Sequence, residues 1–316
     1  MKTEKAIGID MGATHIRGAV VDQTGKLHSG LEIATPVEGG SEAVLDVLAE
    51  AVKTLLSKEC DRIHAVGIGL PGPLNSKRGV VTLMPNVKGI EHYPIKEKLE
   101  AIVGLSVGIL NDADAAALGE YLCGAAKGLE MFVMLTLGTG LGSSIMLNGR
   151  PWLGQDGYST ELGHIPLFDT DEKCGCGGWG HAETCLSIKG LWRDYRSHAG
   201  AQARWKSMAD FSVKHLFESA RNGDTIAAGV ANRYGTALGR VIVAAAVTLN
   251  LRHCIIGGGI SAAWDVLEKP VRNSIERFGF PSLTDNLSIR PGTLGNDAAV
   301  IGAGLMMAAG TISACI

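Results

Sequence analysis

No stretch of the 316 residues stays apolar long enough to cross a membrane; Val241 to Leu251 falls well short of the roughly 20 residues a spanning helix needs. A basic excess is also missing. Lys and Arg number 29 against 32 Asp and Glu, and the net charge of -3 argues against a nucleic-acid surface. The opening Met-Lys-Thr-Glu-Lys has no signal-like apolar run behind it. Seven cysteines, an odd number, do not read as a secreted disulfide framework. A cytoplasmic protein with neither membrane nor nucleic-acid partners is expected. The chain also lacks Gly-x-x-x-x-Gly-Lys-Ser/Thr, which argues against a P-loop phosphate site.

What is abundant is glycine, 43 residues of it, clustered where strands turn. Lys5 to Met11 and His15 to Asp22 read as strands joined at Gly12-Ala13-Thr14, with a third strand from Leu27 to Thr35. In Gly8-Ile-Asp10-Met-Gly12-Ala13-Thr14-His15, small residues let backbone N–H groups and the Thr14 hydroxyl approach phosphate oxygens. Asp10 can hold hydrated magnesium. An ordinary tight hairpin is the plain alternative. Phe132 to Leu137 and Leu141 to Leu147 repeat the arrangement around Gly138-Thr139-Gly140, and two such hairpins, one per half, suggest two lobes clamping a nucleotide. A strand over Arg252 to Ile256 then meets Gly257-Gly258-Gly259, with Ser261 as a helix N-cap. Such a junction admits a flat ring or a phosphate. Because the first glycines lie in a strand–strand turn, a Rossmann dehydrogenase does not fit.

Ser106 to Leu110 reads as a short strand, and Asn111-Asp112-Ala-Asp114 opens a helix running to about Ala126. Acids in a first helical turn are stabilised by the helix dipole, yet strand-to-helix junctions are also where open α/β sheets place ligands. Helices are further expected over Met208 to Ala220 and Asp224 to Asn250. From Glu161 to Glu183 the chain gathers two carboxylates (Glu161, Glu183), two histidines (His164, His181) and two cysteines (Cys174, Cys176) among glycines. Thiolate and imidazole are ligands zinc prefers, and four close a tetrahedral site. A loop with incidental thiols is the alternative.

These motifs resemble those of the ROK family of sugar kinases: Glu-x-Gly-His, then Cys-x-Cys-Gly-x-x-Gly-x-x-Glu, with Asn-Asp-Ala-x-Ala-Ala-Ala-Leu-Gly-Glu upstream. The resemblance spans essentially the whole chain. It implies an α/β fold of two actin-like (ribonuclease H-like) lobes with mixed sheets, flanking helices and a cleft between them. The first lobe would be residues 1–111, completed by a helix at about 297–316. The second would be 112–296, carrying the zinc-binding segment 161–185. It implies ATP-dependent phosphorylation of a hexose 6-hydroxyl, with ATP, magnesium and a structural zinc, in a homodimer.

Carried over residue by residue, Asp112 is the general base, and Gly72, Asn86, Asn111, Glu161, His164 and Glu183 contact the sugar. The nucleotide falls to Gly8, Asp10, Gly12, Ala13, Thr14, His15, Gly138, Thr139, Gly140 and Gly257 to Gly259. The metal falls to His164, Cys174, Cys176 and His181. His181 replaces the family's third cysteine, with Cys185 as a rival ligand; His15 replaces a common lysine, and Asp114 a frequent Asn. The segments around Asp10, Asn148-Gly-Arg-Pro-Trp152 and Glu161 look most like the family's D-allose kinases, with glucokinases next. Fructose and N-acetylmannosamine kinases, or a non-catalytic sugar-binding regulator, are the alternatives.

Overall fold

Near-continuous burial marks the first two strands as the interior of a sheet. In β1 (Lys5–Met11) and β2 (His15–Asp22) nearly every residue is buried, and β3 (Leu27–Ala34) alternates as a half-covered edge strand should. The computed structural model describes residues 5–59, 63–84, 87–200 and 203–308. After helix α1 (Gly40–Lys58) comes β4 (Ile63–Leu70), parallel to β1. The Pro71–Pro73 turn leads into a small antiparallel sheet of β5 (Leu74–Asn75), β6 (Val80–Leu83) and β7 (Glu91–Tyr93), which the residue pattern did not suggest. Helix α2 (Ile95–Val103) returns the chain to β8 (Ser106–Asn111), parallel to β4, and α3 (Asp112–Cys123) follows at once. The main sheet is therefore mixed, in the order β3-β2-β1-β4-β8. Helix α3 stops three residues before the expected end: the Glu120 carboxylate takes the Ala125 amide at 2.7 Å, and Gly124 leaves helical angles.

Further along come β9 (Met131–Leu137), β10 (Leu141–Leu147), β11 (Arg150–Pro151), the short α4 (Glu183–Leu186) and α5 (Ile188–Ala199). Helix α6 (Val213–Arg221) begins later than Met208 because Ser212 caps it, accepting the His215 amide. The 25-residue α7 (Thr225–Leu249) is capped by Asp224, whose carboxylate accepts two amides, and it ends at a left-handed Asn250. Strand β12 (His253–Gly257) runs parallel to β9 and to β13 (Ser288–Pro291), with α8 (Trp264–Phe278) and α9 (Pro281–Thr284) between. Ser261 does not cap a helix directly. It sits in a 3-10 turn, Gly259–Ala263, and donates to the Gly258 carbonyl at 2.7 Å.

The last described helix, α10 (Ala298–Ala308), is built of small and apolar residues and is buried almost all round. Absent side chains let it sink against its neighbours. A Cβ on Gly67 would stand 1.8 Å from the Ala303 carbonyl oxygen, and one on Gly302 would stand 1.8 Å from that of Ala115. Contacts accordingly divide the chain into a first unit, 1–130 with 144–160 and 292–316, and a second, 131–143 with 161–291. Helix α3 thus groups with the first unit rather than lying beyond a boundary at residue 111, because α10 packs on it as closely as on β1. Each unit is a mixed α/β assembly, the two-lobed α/β class expected. Among the described residues no helix is long and apolar enough to cross a membrane.

Candidate functional site

In the first unit, three neighbouring parallel strands bring their carboxyl ends together. Asp10 of β1 lies in register with Gly69 of β4, and Leu70 with Asn111 of β8, immediately before Asp112. Hydrophobic strands stop here, so polar side chains gather where open sheets hold ligands. Burial pushes the Asp10 carboxyl up to about 7, helped by the nearby Asp112 charge and opposed by Arg17. Burial likewise carries Asp112 up to about 6 against the Ala113 amide, which donates to its Oδ1 at 2.8 Å. Asp114, fully buried one step further along α3, is also raised to about 6 by burial, although the Ser144 and Ser159 hydroxyls face it and Ser159 donates to its Oδ2. Asn111 is the N-cap of α3, accepting the Ala113 amide at 2.9 Å, and its Nδ2 faces the Gly72 carbonyl at 3.4 Å. Asn86 lies outside the described residues.

The first glycine turn closes by a bond from the Gly12 amide to the His15 carbonyl, 2.9 Å. Thr14 and His15 are exposed there, hydroxyl to ring Nδ1 at 2.9 Å. Gly8 has a packing role. A Cβ on it would meet the Val300 carbonyl oxygen at 2.0 Å, so its smallness seats α10.

In the second unit, the segment after Glu161 folds into a knot. A 3-10 turn, Leu162–His164, comes first; residues around Pro166 then bridge His181, and Lys173 bridges Trp179. Gly177, at φ +98°, and Gly180, at φ +70°, supply the left-handed turns that fold Cys174 and Cys176 back. The result gathers one ligand atom each from His164, Cys174, Cys176 and His181 within 4.8 Å of one another. Cys174 Sγ lies 3.6 Å from His164 Nδ1, and Cys176 Sγ 3.2 Å from His181 Nδ1. Ligand atoms around a tetrahedral zinc stand roughly 3.4–3.8 Å apart; these two separations lie near that range, and two thiols with two imidazoles are a donor set the ion takes. Cys185 is not in the cluster; it lies beside Thr184. Burial lifts the Cys174 thiol to about 11, a cost that a bound cation would reverse by holding the thiolate. His164 turns its other nitrogen, Nε2, toward Glu161 Oε2 at 3.7 Å. Glu183 accepts from Cys174 Sγ at 3.5 Å and from the Leu141 amide at 3.1 Å. The Leu141 bond had no signal in the sequence, because nothing in spacing ties residue 183 to residue 141.

The second glycine turn closes by a bond from the Gly138 amide to the Gly140 carbonyl, 3.1 Å, with Thr139 exposed. Of the triplet after β12, Gly257 is buried against Met134, and Gly258, at φ +77°, presses on the Leu137 carbonyl. Only Gly259 has open space where a Cβ would stand.

The chain is similar to known proteins along nearly its whole length. The chain is 33% identical over 311 residues to a glucokinase of Halalkalibacterium halodurans, covering 95% of this chain and 94% of that one. It is 28% identical over 301 residues to an N-acetylmannosamine kinase of Escherichia coli, covering 95% and 97%. A ROK family glucokinase of Streptomyces griseus, solved in complex with glucose and AMPPNP, superposes with a TM-score of 0.83 at 32% identity, over 95% of this chain and 97% of that one. The ROK family pattern itself matches residues 6–309, so it takes in the carboxylates at the strand ends and the Cys/His knot alike: this chain belongs to the ROK family.

Proposed function

We propose that this protein phosphorylates the 6-hydroxyl of a hexose from ATP, with Asp112 as general base. Sugar kinase activity agrees with its relatives along nearly the full length of the chain. The observation that carries the role of Asp112 is its place directly after β8, at the start of α3, where burial holds its carboxyl near 6. A base at that level is ionised at neutral pH yet still binds a proton well. As the hydroxyl oxygen bonds to the γ-phosphorus and the bond to ADP breaks, Asp112 takes the hydroxyl proton. Phosphoryl transfer asks the protein mainly for positioning and charge.

Gly72, Asn111, Glu161, His164 and Glu183 are the proposed hexose contacts. The turns at Gly12–His15 and Gly138–Gly140, with Gly259 for the adenosine, are the nucleotide contacts. Asp10, a carboxylate raised by burial and by Asp112, suits a divalent cation; magnesium there would offset triphosphate charge. His164, Cys174, Cys176 and His181 would hold zinc, which with four protein ligands stabilises the loop and leaves no position for water. A cytoplasmic homodimer is the expected form, following the family resemblance.

For the sugar, D-glucose and D-allose, which differ only at C3, are favoured: the first by the glucokinase relatives, the second by the segments around Asp10 and Glu161. An N-acetylmannosamine kinase is the second reading, supported by the Escherichia coli relative. An ADP-release assay with allose, glucose, mannose, fructose and N-acetylmannosamine decides among them. The highest kcat/KM with glucose or allose is expected. Hexose binding without ADP release for any sugar would instead make the protein a non-catalytic sugar-binding regulator.

A further inference from the structure

The second glycine turn does not stand free on its hairpin; the segment beginning at Glu161 grips it from several sides. The Leu162 amide donates to Ser143 Oγ at 2.9 Å. Gly163 packs so near β10 that its Cβ would lie 2.4 Å from the Leu141 carbonyl oxygen. Glu183 Oε2 accepts the Leu141 amide at 3.1 Å, directly after the turn, and the Ile188 amide donates to the carbonyl of Gly138, the turn's first residue, at 3.1 Å. Gly140 completes the fit: a Cβ there would stand 2.3 Å from Glu183 Oε2. One carboxylate therefore reaches the Cys174 loop with one oxygen and the turn with the other.

From this geometry we infer that Glu183 is a positioning residue for the Gly138–Thr139–Gly140 turn, so that the nucleotide and the hexose are coupled through a single carboxylate. The inference rests on the proposed kinase reading and deepens it. A hydrogen bond between a charged acceptor and a backbone amide fixes where the turn's own N–H groups point. Hexose hydroxyls bound to Glu183 hold that carboxylate still, and so hold the turn. By linkage, nucleotide then tightens hexose binding by the same factor that hexose tightens nucleotide.

The test measures binding of magnesium AMPPNP to the full chain without sugar, and then with saturating hexose. Removing the acceptor in Glu183→Ala weakens AMPPNP binding in sugar-free protein by roughly tenfold, the loss of one charge-assisted bond. Glu183→Gln keeps a carbonyl oxygen for the Leu141 amide and recovers most of that affinity, while its hexose KM stays raised. Hydrogen exchange supplies a local readout: the Leu141 amide exchanges faster in Glu183→Ala than in the parent. The reciprocal variant is Gly140→Ala, a change on the nucleotide turn whose methyl displaces the Glu183 carboxylate. It raises hexose KM several-fold. Unchanged AMPPNP affinity in Glu183→Ala, or unchanged hexose KM in Gly140→Ala, overturns the inference. A parent that binds no AMPPNP at all refutes the ATP reading instead, so the two failures are distinguishable.

Discussion

The carboxylates of the first unit and the Cys/His/Glu knot of the second solve one problem, holding polar groups still, by different means. Asp10 stands on the end of a paired strand and Asp112 directly after one, in a sheet covered by a helix packed so closely that only glycines fit at its nearest points. Their backbone is set by the sheet, and burial then raises both carboxyls. The knot has no such frame. Between the 3-10 turn at Leu162 and the start of α4 at Glu183 the chain forms no regular element; isolated bridges and scattered bonds, such as that from the Phe168 amide to the Gly180 carbonyl, hold it, and Cys176 is exposed. A site on regular structure is placed by packing, whereas a site on irregular backbone needs its own fastening. Two thiolates and two imidazoles gathered on one ion would provide it.

The largest test of this contrast is Asp112→Asn. Turnover should fall by about 10²–10⁴ while hexose affinity changes little and the fold is kept, with a gain in thermal stability near neutral pH because the buried charge is removed. Steady-state rates with a parallel sugar-binding measurement check it; turnover within a few-fold of the parent would remove Asp112 from its role. Next comes the metal. His181→Ala should lose a stoichiometric zinc that Cys185→Ala keeps, and chelation should speed hydrogen exchange over residues 161–183 while sparing β1 and β2. Full metal content in the first variant with loss in the second would make Cys185 the fourth ligand.

Gly302→Ala probes the packing side. Overpacking against the Ala115 carbonyl should cost ~1–3 kcal/mol, seen as a lower urea midpoint, with the metal content unchanged.

The smallest effects concern pH. Asp10, Asp112 and Asp114 have folded-state values above their ordinary one of 3.8, so each favours the fold while protonated. That contribution is complete below about pH 4 and is lost as pH climbs to about 6 or 7. Asp114→Asn should therefore gain stability relative to the parent between pH 4 and 7; a constant gap would mean that Asp114 stays unshifted. Asp22 runs the other way. Burial opposes its charge, yet bonds from Thr24, His28 and Lys26 hold its carboxyl well below the usual range. Its stabilisation is present above about pH 4 and disappears on acidification. Over the same range kcat/KM should rise as pH passes about 6 and Asp112 ionises.

Local signals made much of this legible. Glycine between apolar strands marked both turns, Asn111-Asp112 marked the head of α3, and the bunching of Cys and His marked the knot. What escaped depends on contacts between residues distant in sequence. Nothing near Glu183 announces the Leu141 amide, and nothing near Asp114 announces Ser159. The sheet of β5, β6 and β7 has strands of two to four residues, too short to show a period. The grouping of α3 with the first unit follows from glycine seats on α10, visible only once the helix is in place.

Helix α10 also sets an order of events during synthesis. Its residues pack on β1, β2 and β4, yet they leave the ribosome only after the whole of the second unit has been made. Until then the seam lined by Gly8 and Gly67 has no filling. The part of the chain born first is thus completed last, and its nascent sheet must be kept from sticking to other chains while it waits. A ribosome that stops between Asp112 and Asp297 releases a protein whose first sheet has no lid, however well the segments beyond it have folded.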